Sequence, residues 1–496
     1  MLIIVTGLPG TGKSTVSAAL ARDLGASVLS TDRIRAEHRG RPGFSRAEKG
    51  DVYERLFARA ALGLRAGRTV ILDGTFYLEG LRREAAAIGR RARVPVFVVE
   101  VTSPRPVVKR RMERRLRTAR RPRPAGFEVH GFIRKTYEPV QGRHFIVDTA
   151  NPGSWKSDVA ALANAMRVVE NHRRIIVPLR RSRELRLVQT HISWVLLDGA
   201  RAFKIKKPVR FSFVDYTSAA KRRAYCRREL AVNSRLSPGI YVGVVPVRDD
   251  NGAVTIGGPG RTVDHAVEMR EMPQSSRLDR LVAKDLVGPE EILRIVRTIC
   301  GFHDRAAVAA SRYGSPRAIR AGFDHAFGLR PLIEREFGGG GALDRIENKV
   351  DGFLRSNAGL FRERVRQRRI RQCHGDLRMS NIFIEGGTVH IFDAIEFNRA
   401  LAASDVAADV AYLAMDLKYC GKGRLAELFL DCYAECSEDP EIGRLADFYE
   451  CYRALVRLLV EALFIRDPAI GALRKKKAGR AARRYLALAE ELARRL

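Results

Sequence analysis

The sequence predicts a two-part fold: an α/β unit on a parallel sheet over residues 1–172, then a bilobal α+β unit over 173–496, its lobes meeting near residues 272–273. Three observations predict it. Short apolar runs alternate with helical patterns through the first 150 residues, the rhythm of βα units. Beyond Asn171–Arg174 the runs become short and closely spaced, as in an antiparallel sheet, and from about Pro289 onward helical periodicity dominates.

In chain order, strands are expected at Leu2–Thr6, Thr69–Asp73, Val94–Val101 and Phe145–Asp148, with helices at Thr15–Leu24, Val52–Leu64 and Ser154–Val169. The Asn151-Pro152-Gly153 triplet marks the turn before the last of these. The strand-rich lobe should contain Leu185–Val188, Trp194–Leu197, Ala202–Ile205 and Tyr241–Val247. One strand pair, near Asn381–Ile384 and Val389–Phe392, interrupts the later helices. Gly338–Gly341 has no strand before it and no phosphate-binding lysine after it, so it reads as a loop.

Composition narrows the function classes. With 46% hydrophobic and 29% charged residues the chain is globular rather than disordered. No run approaches the ~18 apolar residues of a membrane span. Leu2-Ile3-Ile4-Val5 is broken at once by Gly7, Pro9 and Gly10, so it reads as a buried strand and not as a signal peptide. Seven cysteines with no Cys-x-x-Cys pair suit a reducing compartment, and a cytoplasmic protein without membrane contact is expected. The net charge of +34 favours anionic partners, yet it is uneven: residues 101–150 carry 13 Lys/Arg against 4 Asp/Glu, whereas 401–450 carry 4 against 11.

Gly7-Leu-Pro-Gly10-Thr-Gly12-Lys13-Ser14 matches the phosphate-binding loop in full, between an apolar strand and a helical segment. Gly7, Gly10 and Gly12 let backbone N–H groups turn toward phosphate oxygens, with Thr15 opening the helix behind them. Lys13 is expected on the β- and γ-phosphates of ATP and Ser14 on Mg²⁺. Ser30-Thr31-Asp32-Arg33-Ile34-Arg35 follows the apolar Ala26–Leu29 run, at the carboxyl edge where α/β sheets bind ligands. Asp32 would take a proton from an attacking hydroxyl and Arg35 would fix an anionic group of the acceptor. Asp73, closing its strand, is the second metal candidate.

Together with Asp73-Gly-Thr and the basic Val108-Lys-Arg-Arg-Met-Glu-Arg-Arg115 segment, these residues resemble the polynucleotide-kinase-like branch of P-loop (AAA-type) kinases over residues 1 to about 170. The resemblance implies an aspartate general base, Asp32, and a lid arginine on the donor phosphates, which by position is Arg114 with Arg115 next to it. Many relatives act on small molecules, so it implies hydroxyl phosphorylation more directly than a nucleic-acid substrate. The ten Lys/Arg between Arg105 and Arg123 keep nucleic acid open as an acceptor.

His374-Gly-Asp376-Leu-Arg-Met-Ser-Asn381 followed by Ile391-Phe-Asp393 has the spacing of a kinase catalytic loop. Asp376 would accept the hydroxyl proton, while Asn381 and Asp393 would ligate Mg²⁺; His374 reads as a brace of the loop. The signature resembles the aminoglycoside phosphotransferases, a protein-kinase-like fold, over roughly Arg180–Leu496. Thr190-His-Ile-Ser-Trp194, Lys204-Ile-Lys-Lys-Pro208, Cys226-Arg-Arg-Glu229-Leu, Ile395-Glu-Phe397 and Asp405-Val-Ala-Ala-Asp409 belong to the same likeness. They resemble in particular a family of such domains often fused to a P-loop kinase. The likeness implies that Lys204 or Lys206, which share one strand face, contacts the α/β-phosphates and pairs with Glu229, with Lys204 preferred. The sequence departs from that pattern twice: no glycine-rich loop precedes the lysine strand, and Arg378 stands where a histidine is common.

The expected function is therefore a bifunctional ATP- and Mg²⁺-dependent phosphotransferase acting on small-molecule hydroxyl groups. A regulatory ATP-binding protein with one active module and a nucleic-acid 5′-hydroxyl kinase are its rivals. No helicase-like motif set or interleaved aromatic surface supports an ATP-driven nucleic-acid binder. Neither the acceptors nor the oligomeric state can be read from these residues.

Overall fold

A computed structural model describes the chain except for residues 38–45, 119–125, 152, 183, 212, 329, 338–340 and 467–470. Pro152, most of the Gly338–Gly341 loop and the end of the basic segment, from Ala119 to Arg123, therefore lie outside the described residues. The chain divides into two compact units, one comprising Met1–Glu184 with 207–218 and 250–255, the other the remainder.

The first unit alternates strand and helix: β1 (Leu2–Thr6), α1 (Lys13–Leu24), β2 (Ser27–Ser30), α2 (Thr31–Ala36), α3 (Arg46–Arg65), β3 (Val70–Asp73), α4 (Glu79–Arg91), β4 (Val96–Thr102), α5 (Arg105–Thr118), α6 (Phe127–Thr136), β5 (Phe145–Asp148) and α7 (Ser154–Asn171). The five strands are parallel in the order β2-β3-β1-β4-β5. Side chains alternate across a strand, so β1 feeds two cores. Leu2 and Ile4 pack with Leu56, Leu72 and Ile88 on one face; Ile3 and Val5 pack with Val16, Leu20, Val99 and Met166 on the other. A strand buried on both faces needs the uninterrupted apolar run that β1 has. α7 does not stop near Asn171. It continues through a π-helical turn, His172–Ile176, into α8 (Val177–Ser182), because Ile175, Ile176 and Leu179 are buried and extend its apolar face.

In the second unit β6 (Arg186–Gln189), β7 (Ser193–Leu197) and β8 (Arg201–Lys206) form an antiparallel meander, and the strands Arg261–Arg270 and Tyr241–Asp250 add antiparallel beyond β8. The helix α9 (Ala219–Asn233) packs on this sheet through Cys226. The rest is mainly helical. Its central helix, Val406–Tyr419, is buried on nearly every residue, as a helix apolar all round must be. The strand Ile370–Gln372 pairs with Ala403–Asp405, and the hairpin Ile382–Glu385/Thr388–Ile391 follows. These two ladders hold the ends of the segment 374–381. No described helix is long and apolar enough to cross a membrane.

Two candidate phosphate-handling sites

The loop after β1 turns on positive φ at Gly7 (141°) and Gly10 (83°). Both need glycine for a second reason. A Cβ on Gly7 would meet the Val101 carbonyl oxygen at 2.3 Å, and one on Gly10 would sit 2.8 Å from both Val108 and Met112 of α5. Gly12 caps α1, and Lys13, Ser14 and Thr15 form its first turn. The Lys13 ammonium donates to the Leu8 carbonyl at 3.0 Å, so the lysine folds back over its own loop. Burial lowers its pKa against the opposing pull of Asp73 and Asp32, and Arg115 lowers it further.

Parallel pairing sets Ser30 opposite Asp73, so β2 and β3 deliver Asp32 and Asp73 to the same sheet edge. Asp73 is buried; that burial raises its carboxyl, while a hydrogen bond from Ser14 and the Lys13 charge pull it back down. Ser14 and Asp73 are thus adjacent hard-oxygen donors, a pair whose chemistry suits Mg²⁺. Asp32 differs. Its side chain is 73% exposed and its contact is Arg35, at 3.3 Å one turn along α2, leaving the carboxylate open to an incoming group.

Several braces of this site carry no sequence signature. His130 on α6 is buried, meets the Pro9 carbonyl oxygen through Nδ1 at 2.8 Å and stacks on Phe127. Arg111 donates to the Thr149 hydroxyl at 2.8 Å, and that hydroxyl donates to the Thr11 carbonyl at 2.6 Å. A lone histidine and one arginine among many look like ordinary surface or core residues until the chain is folded. On α5, Val108 and Met112 face Gly10 at i and i+4, and Arg115 continues that face, whereas Arg114 lies about a third of a turn away. Arg115 is close enough for its charge to lower the Lys13 pKa.

In the second unit, Lys204 and Lys206 project from one face of β8 and share Glu229 of α9. Lys204 donates to Glu229 Oε1 at 2.7 Å and also to Asp393; Lys206 donates to Glu229 Oε2 at 2.7 Å and to Glu396 Oε1 at 2.5 Å. The Lys206–Glu229 end of the network is dry, with side-chain exposure of 1% and 0%, while Lys204 at 11% leads out to the half-exposed Asp393. Burial opposes charge on Lys204, but Asp393 and Glu229 more than offset it and raise the pKa well above the usual ammonium value. Burial likewise pushes Glu229 and Asp393 up, and the lysines outweigh it, so both carboxyls end below their ordinary range. Asp393 holds φ at 63°, a conformation non-glycine residues keep only where the surroundings impose it. α9 supplies part of that imposition, since the Asn233 side chain accepts the Ala394 N–H at 2.8 Å.

Asp376 is clamped. Arg378 donates to both of its oxygens, Nε to Oδ1 at 2.8 Å and Nη2 to Oδ2 at 3.0 Å, while Asn381 Nδ2 reaches Oδ2 at 3.1 Å and the Asp376 carbonyl at 2.9 Å. Burial raises the Asp376 carboxyl, and the Arg378 charge and hydrogen bond reverse this, leaving it below the ordinary carboxylate value. His374 is fully buried. Its Nε2 faces the Phe392 carbonyl at 2.8 Å, so it donates there, and Nδ1 accepts the Asp376 N–H at 3.2 Å. With both ring nitrogens engaged, the histidine shapes the loop.

Asp409 supports the same loop from below, accepting the N–H groups of His374 and Gly375 at 2.8 and 2.9 Å and contacting His303 at 3.2 Å. Burial raises this carboxyl, but the His303 hydrogen bond and nearby charges bring it down to about 2. His303, Cys373 and Asp409 place ligand-type atoms within 4.8 Å of one another. Their capacity is already taken by these bonds, by Tyr433 on His303 and by the Ser404 carbonyl on Cys373. Many carboxylates of the acidic 401–450 stretch are engaged internally too: Asp405 and Asp439 on buried Arg364, Glu450 on Lys418, and Asp416 on the Met379 N–H.

Residues 2–140 match a family model described as an AAA domain, a span that contains the loop after β1, Asp32, Asp73 and α5. An uncharacterized protein of Mycobacterium tuberculosis H37Rv is 34% identical over 278 residues, 55% of this chain and 54% of that protein. The chain spans about half the length of the curated relatives it matches most extensively. Among solved structures, a choline/ethanolamine kinase family protein from Mesorhizobium loti superposes with a TM-score of 0.37 at 13% identity, covering 62% of this chain and 92% of its own. The Mycobacterium tuberculosis APS kinase CysC in complex with AMPPNP and APS gives a TM-score of 0.27 at 25% identity, covering 32% and 94%.

Proposed function

We propose that the chain is a bifunctional ATP-dependent phosphotransferase with one site in each unit, both acting on hydroxyl acceptors. One observation carries the reading: each unit gathers a lysine, a metal-type carboxylate and a separate base-type carboxylate around one point. These are Lys13, Asp73 and Asp32 in the first unit, and Lys204, Asp393 and Asp376 in the second. At each site the acceptor oxygen attacks the γ-phosphorus, the bond to the β–γ bridging oxygen breaks, ADP leaves, and the hydroxyl proton passes to Asp32 or Asp376. Mg²⁺, held by Ser14 and Asp73 in one site and by Asn381 and Asp393 in the other, would neutralise phosphate charge.

Lys204 is the phosphate-contacting lysine in this reading, because it is the more exposed of the pair and reaches Asp393. Lys206 ties Glu229 to Glu396 and holds the strand-rich and helical lobes in register. Arg115 replaces Arg114 as the lid residue, on the strength of its helix face and its effect on Lys13. Arg378 supplies the positive charge where a histidine was expected; it holds Asp376 ionised and releases it as phosphoryl oxygens compete for the guanidinium. Small molecules are the preferred acceptors. On α5, Arg111 is committed to Thr149 and Lys109 lies 3.9 Å from Glu113, which reduces the charge left to track a nucleic-acid backbone. Seven free thiols support a cytoplasmic setting.

The test is untargeted mass spectrometry of a metabolite and RNA extract incubated with the enzyme and labelled ATP, repeated with Lys13→Ala, with Asp376→Asn and with both. Labelled products that divide into one set lost with Lys13 and another lost with Asp376 support the proposal. Labelled oligonucleotides in the Lys13 set identify a nucleic-acid acceptor. No labelled product, or products that survive in the double variant, overturn it.

A further inference from the structure

α9 presents a second charged feature on the side away from Glu229. Arg222 points inward and is neutralised by Asp264, its Nε 2.9 Å from both carboxylate oxygens. Arg223 and Arg227, one turn apart, are exposed and have no carboxylate partner among the described residues. Facing them across a cleft of about 320 Å³, the strands Tyr241–Asp250 and Arg261–Arg270 contribute Arg248 and His265 beside an apolar wall of Val244 and Pro246. Arg248 is fixed by one bond, Nη1 to the Gly260 carbonyl at 3.0 Å, which does nothing for its charge. Its Nε and the Nδ1 of His265 are buried with no hydrogen-bond partner.

Three guanidinium groups around one concavity repel one another unless a counter-anion joins them, and buried polar atoms without partners, as the Arg248 Nε and the His265 Nδ1 are, are uncommon in folded proteins. We propose that this cleft is a binding site for a compact phosphorylated anion, gripped by Arg223, Arg227 and Arg248 with His265 beneath it. Guanidinium forks match phosphate oxygens two at a time. The volume lies at the small end of ligand pockets, about 300–1,000 Å³, which suits a phosphate ester or pyrophosphate rather than a polymer. The Val244–Pro246 wall would take the carbon part of an ester.

The site bears on the chemistry through α9. Its inner face carries Glu229, which holds both lysines, and Asn233, which holds the Ala394 backbone beside Asp393. An anion joining the outer face of α9 to the sheet would steady that helix, and by reciprocity ATP in the second site would tighten the anion.

His265 reports occupancy. Its burial, together with Arg223, Arg227 and Arg222 and against the single opposing charge of Asp264, holds the imidazole below its ordinary pKa, so a seated anion would raise it. The experiment follows the His265 ring resonance, assigned from His265→Gln, in the full chain carrying Lys13→Ala and without divalent metal, while pyrophosphate or glucose 6-phosphate is added. A saturable shift is expected, with its midpoint raised at least tenfold by Arg223→Ala combined with Arg227→Ala. Saturation by pyrophosphate alone indicates an inorganic ligand, and saturation by the sugar phosphate a metabolite. An unmoved resonance, the same shift from sodium chloride at matched ionic strength, or an unchanged midpoint in the double variant would overturn the proposal.

Discussion

The two sites hold the same kinds of groups by opposite means. In the first, the loop after β1 is shaped by glycine conformation, and among the described residues its lysine bonds to a backbone carbonyl alone. The proposed base, Asp32, stands exposed on a short helix. In the second, the lysines are locked into a lattice of two lysines and three carboxylates, Lys204, Lys206, Glu229, Asp393 and Glu396, buried except at Asp393, and the proposed base, Asp376, is clamped by Arg378. The first site is therefore separable from the stability of its unit, whereas the second is part of the fold. A buried charge deprived of its partner destabilises the protein; an exposed or backbone-bonded one does so far less.

The largest expected effect concerns the bases. Asp376→Asn should reduce transfer at the second site by roughly 10²–10⁴-fold, and Asp32→Asn should do so at the first, each leaving the other site's rate unchanged. Site-resolved rates measured with the acceptors from the labelled-extract experiment check this; a loss at both sites from either substitution would merge the two into one. Next in size is stability. Lys206→Met removes the buried cation that bridges Glu229 and Glu396 from a site with 1% exposure and should destabilise the second unit by about 3–5 kcal/mol. Lys204→Met, with Glu229 still held by Lys206, should mainly weaken nucleotide binding, and Lys13→Met should leave the melting temperature nearly unchanged. Equal melting shifts for all three would erase the distinction between the sites.

The smallest effect is on pH dependence. Arg378 outweighs burial and keeps Asp376 below the ordinary carboxylate range, so removing the guanidinium must raise that pKa. In Arg378→Gln the base is then protonated at a higher pH, and the acid limb of second-site kcat/KM moves upward. The first site should keep its profile. An acid limb that stays in place would mean that Arg378 does not face the base in solution.

The same contrast governs what was legible in the amino-acid sequence. Gly7 to Ser14 is contiguous and its conformational demands are local, so the motif and its flanking strand and helix could be read directly. Asp376, Asn381 and Asp393 also lie in one short stretch. The different partners of Lys204 and Lys206 could not be read, because they are Asp393 and Glu396, nearly two hundred residues away. Which face of α5 meets Gly10 could not be read, because a helix crowded with arginines hides that face. His130 and Thr149 act through backbone carbonyls of the loop, and such contacts leave no pattern in residue type. The continuation of α7 into α8 was masked because the polar residues at 170–174 resemble a linker until Ile175, Ile176 and Leu179 are seen to be buried.

The central claim, two independent nucleotide sites in one chain, is tested most directly by counting. Equilibrium dialysis with the magnesium complex of a non-hydrolysable ATP analogue should give two equivalents bound per chain in the native protein. One equivalent should remain in Lys13→Ala, one in Asp393→Ala, and none in the double variant. A single equivalent in the native chain, or the loss of both in either folded single variant, would contradict the account.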